Sequence, residues 1–366
     1  MNLIKRQIVI VGAGPQALFL VREYSRIGYS VTLIGRENEI AMHSRYGKKL
    51  IVETEEDFIH KLSNLASENQ SIDCIVASGF YLSFLMNHFP DFFTLFNVIP
   101  KDIEALSVFL NKMNTYQLAE EVSCKYPESI LLCQLNQNTE YDKIKFPQIV
   151  KWNQDIHLYE KPSFKTCLLR DVKDVKNLVQ TLIGKEKESL VMQEYLGEDL
   201  QHNFSFGAYF DKGNLVAGIC VNEVRHYRSG VSSVVEEYRG EYSEIIEEKS
   251  IQLIGKTSFT GFLDVEFKIF NGEAYLLEVN PRPFGFIKIM KLKYPDLIPY
   301  ILGHSASNKK NPKQVQWMNI LRDMVLLVKK PKNFLHMLSV LLNFNSRTFD
   351  VLDLADIKPF FHQIKR

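Results

Sequence analysis

The sequence predicts a small doubly wound α/β domain at the start of the chain and, after it, an α+β region with a largely antiparallel sheet. Residues 7–11 and 30–34 are β-branched strand patterns that flank a helical pattern, which is the beginning of a βαβ unit. A further strand pattern at 72–77 precedes a glycine. Between 190 and 279, strand patterns follow one another with mostly turns between them, and a helical pattern near 242–255 interrupts them.

The remaining elements are predicted from the same periodicity. Helical patterns at 103–124 and 171–183 flank strand patterns at 146–152 and 165–170. A polar stretch at 304–313, rich in Ser, Asn and Lys, indicates a linker or surface loop. We expect the rest of the chain to be mainly helical.

The composition is that of a globular protein without an excess of charge. The 366 residues suggest two or three domains, and an apolar fraction of 46% is enough for a sizeable core. A formal net charge of +1 gives no reason to expect nucleic acid or a membrane as partner. Five cysteines without a CxxC pair indicate reduced thiols. The chain begins without a signal-peptide pattern, and polar residues interrupt its most apolar stretch at 80–99, so we expect a cytoplasmic protein.

A glycine motif follows the first strand. Gly12, Gly14 and Ala17 have the spacing of a dinucleotide-binding turn. Where such sites carry an acidic residue for the ribose hydroxyls, this chain has Gly35 followed by Arg36. An arginine suits a 2′-phosphate, so an NADP- or FAD-dependent oxidoreductase is an open alternative. We favour a tight strand-to-helix turn, because no later group of residues is typical of hydride chemistry.

Oxygen-bearing side chains mark a hairpin near residue 270. Two apolar strand patterns flank Asn271-Gly272, and because side chains alternate along a strand, Glu278 and Asn280 share one face. A plain two-residue loop would place Glu266 on the opposite face of the sheet, so we predict a three-residue loop or a β-bulge that restores a shared face. Such oxygens suit Mg²⁺, whereas the alternative is a solvated outer face of the hairpin.

These segments resemble the ATP-grasp superfamily. Glu266 followed by Glu278-Val-Asn280-Pro-Arg282 resembles its metal-binding signature, and the resemblance extends in order over most of the chain. The other matching segments are Ser44-Arg45-Tyr46, Asn111 to Thr115, Phe146 to Lys151, Val191 to Asp199, Asn222 to Arg228 and, more weakly, Asp353 to Pro359. The closest likeness is to carboxylate–amine ligases of the D-aspartate ligase-like or carbamoyl-phosphate synthase-like group.

The resemblance implies a fold and its division. It implies a Rossmann-like pre-ATP-grasp domain at 1–105, followed by a two-lobed ATP-grasp fold with antiparallel sheets. The small lobe, or lid subdomain, would comprise 106–190 and the large lobe 191–303. A helical extension at 304–366 would end the chain.

The resemblance also implies roles for individual residues. The residues expected to contact ATP are Lys112, Lys151 and Lys165 at the phosphates, Gln193, Glu194 and Leu196 at the adenine, and Asp199, or Glu198, at the ribose. Glu266, Glu278 and Asn280 would hold Mg²⁺ or Mn²⁺. Arg225 and Arg282 would act as catalytic residues that steady the transferred phosphoryl group and the acyl phosphate. The segment after Lys151 lacks the glycine-rich lid of many family members, so Lys161 is an alternative to Lys165.

The expected function is an ATP-dependent ligase that forms an amide or peptide bond through an acyl phosphate. Its partners would be small, amino-acid-like carboxylate and amine substrates, and a homodimer is a further expectation. A non-catalytic ATP-binding module is the second alternative, beside the oxidoreductase. Residues 329–342 combine basic and apolar side chains, a pattern compatible with a membrane surface. We favour packing of an amphipathic helix on the core.

Overall fold

The computed structural model describes residues 6–68, 72–135, 143–154, 164, 166–182, 184–197, 199, 202–228, 230–303, 310–329 and 331–365. These residues form three β-sheets. Successive parts of the chain build the three sheets, in the order in which sequence periodicity predicts parallel and then antiparallel strands.

The first sheet is parallel and confirms the predicted doubly wound domain. Its strands are β1 (Gln7–Val11), β2 (Ser30–Gly35), β3 (Lys48–Ile51), β4 (Asp73–Val76) and β5 (Asn97–Ile99). They lie in the order β3-β2-β1-β4-β5. The connecting helices are α1 (Pro15–Arg26), a 3-10 helix at Ile40–His43, α2 (Glu55–Glu68), α3 (Gly79–His88) and α4 (Phe92–Leu95).

A small antiparallel sheet follows two helices, α5 (Ile103–Phe109) and α6 (Lys112–Glu121). Its strands are β6 (Ser129–Leu131), β7 (Gln148–Trp152), β8 (Thr166–Leu169) and β9 (Leu190–Glu194), and their order is β6-β9-β7-β8. Helix α7 (Val172–Thr181) packs on this sheet, with Val175 in one cluster with Val150 and Met192. Short 3-10 helices lie at Leu132–Gln134 and Gly184–Ser189. The expected boundary between the lobes lies between residues 190 and 191. Strand β9 begins at Leu190 and continues past this boundary, although the whole strand belongs to the small sheet.

The third sheet has seven strands. They are β10 (Asn203–Asp211), β11 (Asn214–Arg228), β12 (Val231–Glu237), β13 (Gly261–Phe270), β14 (Glu273–Asn280), β15 (Gln316–Met318) and β16 (Arg347–Phe349). Their order is β14-β13-β10-β11-β12-β15-β16, antiparallel except for the parallel pair of β15 and β16. The helices here are α8 (Glu241–Ile254), α9 (Lys288–Lys293), α10 (Leu297–Ile301), α11 (Ile320–Lys329), a 3-10 helix at Pro331–Asn333, α12 (Phe334–Leu342) and α13 (Lys358–Ile364).

The C-terminal segment contains helices α11, α12 and α13, as expected, and also two short strands that were not predicted. Two three-residue strands, β15 and β16, widen the large sheet at its edge. Strands of this length are too short to show the alternation that identifies a strand in a sequence. Among the described residues, no helix combines the length and apolar character that crossing a bilayer requires.

Helix α6 packs against the large sheet, which positions its first residue beside β14. Tyr116 and Ala119 of this helix are buried in the same hydrophobic cluster as Phe267 of β13 and Leu276 of β14. The cluster continues into the first domain. Helix α6 is therefore held between the parallel domain and the strands that carry the acidic side chains.

A buried ion pair ties the end of the chain to α1. Arg22, which is 1% exposed, places Nε 2.9 Å from Oδ2 of Asp356. The same carboxylate accepts hydrogen bonds from Oγ of Ser44 at 2.6 Å and from the backbone N–H of Arg45 at 2.8 Å. The Ser44-Arg45 segment and the Asp353–Asp356 segment, which both contribute to the family resemblance, therefore contact each other.

Candidate active site

The hairpin of β13 and β14 places Glu266 and Glu278 on one face of the sheet. The two residues are cross-strand partners, and Asp264 is the partner of Asn280. The register shifts directly after Glu266, because Phe267 pairs with Leu276 and leaves Leu277 as the extra residue of a bulge. The prediction of a bulge or an odd loop is confirmed in its bulge form.

The loop itself has two residues. Phe270 pairs with Glu273, and Asn271 and Gly272 have φ angles of 52° and 78°. Two successive positive φ values are typical of the tight turn that matches the twist of a hairpin. The bulge alone therefore corrects the parity between the two glutamates.

An amide links the two carboxylates. Nδ2 of Asn280 donates to Oε1 of Glu266 at 3.1 Å and to Oε1 of Glu278 at 3.0 Å. Its Oδ1 accepts a hydrogen bond from Nη2 of Arg282 at 3.3 Å. Rotation of the amide by half a turn would present Oδ1 to the same point between the carboxylates. Three side chains thus converge with oxygens available to one ligand.

The charges of this cluster are unevenly compensated. Nζ of Lys112 lies 2.9 Å from Oε2 of Glu278, and the positive charge of Lys112 holds the pKa of Glu278 well below its usual range. Withdrawal from water, together with the charge of Glu278, raises the pKa of Glu266 well above its ordinary value. Burial raises the pKa of Asp264 to about 7. These raised pKa values show that the cluster has too little positive charge to compensate all of its carboxylates. A bound cation would stabilise their ionised forms.

The donor set fits a hard divalent cation that shares its coordination with other ligands. Within the described residues, no three His, Cys, Asp or Glu side chains converge into a metal site made by the protein alone. Oδ1 of Asp264 is buried and meets no hydrogen-bond partner among those residues. Two carboxylates and one amide leave positions for water and phosphate oxygens, which is how Mg²⁺ is usually held. The residues present therefore fit Mg²⁺ with a nucleotide.

The backbone around Lys112 is fixed from two sides. Asn111 caps α6, since its side chain accepts from the backbone N–H of Asn114 at 3.1 Å. Asn153, directly after β7, accepts from the backbone N–H of Lys112 at 3.1 Å and, through its side chain, from that of Met113 at 3.0 Å. These bonds attach the small sheet to the first turn of α6.

Lys151 reaches the same cluster from the small sheet. It lies on β7, where it pairs with Thr166 and Val191. Its charge is among the causes that lower the pKa of Glu278. The structure therefore brings Lys112, Glu266, Glu278 and Asn280 together, with Lys151 close enough for its charge to act on Glu278.

The expected adenine segment lies at the end of β9. The buried side chain of Gln193 donates to Oη of Tyr116 at 2.7 Å and to Oγ of Ser129 at 3.0 Å. The side chain of Gln193 therefore holds the segment in position. The backbone N–H of Glu194 donates to the carbonyl of Glu128 at 2.8 Å, and Leu196 is buried.

Tyr116 connects the end of β9 to the hairpin of β13 and β14, which we call the acidic hairpin. Its Oη donates to the carbonyl oxygen of Leu277 at 2.7 Å, so the bulge residue is held from α6. Burial raises the pKa of Tyr116 to about 12, which keeps the hydroxyl protonated as a donor. Sequence reasoning missed Tyr116, although an aromatic residue four positions after Lys112 lies on the same helix face.

A buried lysine holds the segment that carries Asp199. Nζ of Lys268, on the same strand as Glu266, donates to the carbonyl oxygens of Gly197 and Asp199, both at 2.9 Å. Burial lowers the pKa of Lys268. The carboxylate of Asp199 is exposed and lies 2.7 Å from Nδ1 of His202. The alternation of side chains along β13 predicts that Lys268 and Glu266 share one face of the strand. The carbonyl partners of Lys268 are distant in sequence, so this pattern could not predict them.

The two arginines expected at the phosphoryl group lie in different surroundings. Arg282 bonds to Asn280 and lowers the pKa of both Asp264 and Glu266 through its charge. Arg225 instead forms a buried two-pronged ion pair with Asp323 of α11, with N–O distances of 2.7 Å, and its Nη1 contacts His336. The guanidinium of Arg225 is thus used by the C-terminal helices, a partner that its strand pattern gave no means of predicting.

Part of the expected site lies outside the described residues. This applies to Lys165, to its alternative Lys161, and to Glu198, the alternative to Asp199.

The glycine turn after β1 is filled by a side chain of the protein. Glu39 accepts hydrogen bonds from the backbone N–H of Ala13 at 3.3 Å and of Arg36 at 2.8 Å. Burial raises the pKa of Glu39. A Cβ on Gly12, which has a φ of +88°, would lie 3.1 Å from Cβ of Ser78, so close packing explains this glycine. A carboxylate at the amides where a dinucleotide phosphate would bind favours the structural interpretation of the motif.

Comparisons with known proteins agree with this architecture. No family model matches the sequence, and no curated protein sequence matches it either. Among solved structures, the chain is similar to N5-carboxyaminoimidazole synthetase from Staphylococcus aureus complexed with ADP, with a TM-score of 0.64 and 17% identity over 87% of this chain and 84% of that chain. It is also similar to L-amino acid ligase from Bacillus licheniformis, with a TM-score of 0.59 and 14% identity over 81% and 73% of the two chains.

A third similar structure is the biotin carboxylase domain of 2-oxoglutarate carboxylase from Hydrogenobacter thermophilus, solved with MgADP and bicarbonate. Its TM-score is 0.64, with 11% identity over 85% of this chain and 73% of that chain. At such identities the likeness concerns the fold. The chain therefore has a Rossmann-like pre-ATP-grasp domain followed by an ATP-grasp fold with antiparallel sheets.

Proposed function

We propose that the chain is an ATP- and Mg²⁺-dependent ligase that activates a carboxylate as an acyl phosphate and joins it to an amine. One observation carries the proposal: Glu266, Glu278 and Asn280 converge on one sheet face while Lys112 approaches from α6. Structures of similar fold were solved with ADP and with MgADP, and one similar protein is an L-amino acid ligase.

Each group has a definite part in such a reaction. Glu266, Glu278 and Asn280 would hold Mg²⁺, which when bound neutralises phosphate charge. Lys112 and Lys151 would contact the phosphates as point charges. In this scheme Lys112 exchanges part of its contact with Glu278 for a phosphate oxygen. The positioning of two anions, ATP and the carboxylate, is the main catalytic task in phosphoryl transfer.

Arg282 is the residue we propose to touch the reacting groups. Its guanidinium is beside Asn280, and its Nε lies about 4.0 Å from the point where a Cβ on Gly79, at the start of α3, would be. A planar fork binds two oxygens of a carboxylate or acyl phosphate at once. Arg282 would thus face a substrate held between the parallel domain and the acidic hairpin. We do not extend this role to Arg225, because Asp323 already engages two of its nitrogens.

The nucleotide base and ribose would bind at the end of β9. The backbone of Glu194 and the buried Leu196 are the proposed adenine contacts, with Gln193 holding the segment through Tyr116. Asp199 would accept the ribose hydroxyls, and Lys268 would fix its backbone.

The test is a screen for ADP and phosphate release over carboxylates, amino acids among them, crossed with amines, with and without Mg²⁺. The proposal expects release that needs a carboxylate, an amine and Mg²⁺ together, with a new C–N bond in the product by mass spectrometry. ADP release that is the same with and without the carboxylate and the amine would contradict the proposal. NADPH binding without ATP binding would also contradict it.

A further inference from the structure

Helices α11 and α12, with the residues just after α12, expose several apolar side chains. Val328 is 85% exposed, Leu335 is 76% exposed and Phe344 is 71% exposed. The other exposed apolar side chains here are Met324, Val325, Phe334, Leu338 and Leu342. We call these eight side chains the outer face. Single exposed apolar residues are ordinary, but a group of this kind on consecutive helices marks a binding surface.

The inner side of the same helices already packs on the large sheet. Met337 and Val340 are buried in one cluster with Val234 of β12 and Met318 of β15. The expectation that an amphipathic helix within residues 329–342 packs on the core agrees with these two side chains, whereas Leu335, Leu338 and Leu342 of the same helix are exposed. Because the helix is apolar on both sides and only one side packs on the sheet, we expect another apolar partner to cover the exposed side.

The charge of the segment is one-sided. Between residues 320 and 349 the sequence carries five basic residues, which are Arg322, Lys329, Lys330, Lys332 and Arg347. Arg322 donates to the carbonyl oxygen of Ser232 and Arg347 to that of Leu341, so the charge that concerns a partner is that of the three lysines in the sequence. The one acidic residue of the segment is Asp323, and Asp323 is buried in the ion pair with Arg225. The partner of the outer face must therefore accept both bulky apolar side chains and positive charge.

A second copy of the chain fits this requirement poorly. A two-fold interface brings the same patch of both copies together, so the net positive charge of one segment would lie close to that of the other. Like charges brought together across an interface are costly. An anionic bilayer meets both demands at once, since it accepts Leu, Val and Phe at the acyl boundary and lysines at its lipid phosphates.

We propose that the outer face of α11 and α12 binds reversibly to anionic lipid bilayers, so that the protein associates with membrane surfaces without crossing them. The surface is distinct from the acidic hairpin, and the inference does not depend on the proposed ligase activity.

The test is co-sedimentation of the full chain with vesicles of phosphatidylcholine alone or of phosphatidylcholine with phosphatidylglycerol. The proposal expects binding to the anionic vesicles that weakens as salt is added. Val328→Asp with Leu335→Asp should abolish sedimentation. Ile27→Asp with Ile103→Asp, which makes the same change at exposed sites elsewhere, is the matched control and should leave binding unchanged.

The basic residues are tested separately. Lys329→Gln with Lys330→Gln should lower the partition coefficient by roughly thirtyfold, since each cation near the surface contributes about 1 kcal/mol. Thermal unfolding of every variant checks that the fold persists. Equal sedimentation of wild type and of the Asp variant would overturn the proposal. The proposal would also be overturned if the wild type did not bind vesicles and formed a dimer, while the Val328→Asp with Leu335→Asp variant was a monomer.

Discussion

Nζ of Lys112, in the first turn of α6, lies 2.9 Å from Oε2 of Glu278 on β14. The contact joins the helix that follows the parallel domain to the strand that carries the proposed metal ligands. It also explains why Glu278 is the readily ionised member of the carboxylate pair and Glu266 the reluctant one.

Glu278→Gln should lower the Mg²⁺-dependent turnover of ATP about a hundredfold, because one preorganised electrostatic contact is worth about 3 kcal/mol of barrier. The measurement is steady-state ADP release with the substrates identified by the screen. Glu273→Gln, an exposed site on the same strand paired with Lys125, is the control and should change turnover little. Near-normal turnover of Glu278→Gln would rule out its role as a metal ligand.

Lys112→Met should move the acid limb of the pH–activity profile to higher pH. Lys112 lowers the pKa of Glu278, so without the lysine that pKa rises toward its ordinary value and the carboxylate is lost earlier on acidification. Profiles of wild type and variant give the shift. Lys125→Met, which removes a lysine paired with Glu273 on the same strand, should leave the limb in place. An unmoved limb in Lys112→Met would contradict the assignment.

Asp264→Asn should make the protein more stable than wild type at neutral pH in the absence of Mg²⁺ and nucleotide. Burial raises the pKa of Asp264 from an ordinary 3.8 to about 7, so the native state holds a proton that the unfolded state has released. The associated stability is present below the unfolded-state pKa and is lost as pH rises through that window. Melting temperatures should be measured for both proteins from pH 4 to pH 8. The amount by which the variant exceeds the wild type should increase as the pH rises toward 7. Asp91→Asn, at an exposed site, is the control.

Lys268→Met should raise KM for ATP about tenfold with a smaller effect on kcat, because charged hydrogen bonds to two carbonyls of the Asp199 segment are lost. A purely structural lysine would lower the melting temperature without separating KM from kcat. Lys256→Met, at an exposed site, controls for the loss of charge. Unchanged nucleotide affinity in Lys268→Met would refute the positioning role.

Asp356→Ala should lower the free energy of unfolding by about 3–5 kcal/mol, because it leaves Arg22 buried without its counter-ion. Urea denaturation provides the measurement. Asp353→Ala, in the same segment and paired with the more exposed Arg26, should cost about 1 kcal/mol or less. Equal losses in both variants would show that the Arg22–Asp356 pair does not anchor the C-terminal segment.

Local rules predicted those parts of the molecule that depend on neighbours in sequence. The βαβ opening, the hairpin around Asn271 and the shared face of Glu278 and Asn280 all follow from periodicity and turn chemistry. The parity argument went further, since it required a bulge or an odd loop, and the bulge lies at Leu277.

Long-range partners could not be predicted in this way. Arg225 finds Asp323 98 positions away, and Tyr116 finds the carbonyl of Leu277 161 positions away. Nothing in either local pattern specifies such a partner. Short strands fail for a related reason, because β15 and β16 have three residues each and owe their conformation to pairing with the large sheet.

The central claim is that the acidic hairpin holds Mg²⁺ together with a nucleotide. Calorimetric titration of a non-hydrolysable ATP analogue, with and without Mg²⁺, tests it most directly in wild type and in Glu266→Gln with Glu278→Gln. We expect Mg²⁺ to tighten binding in wild type and to have no such effect in the double variant. Equal tightening by Mg²⁺ in both proteins would show that the cation is held elsewhere.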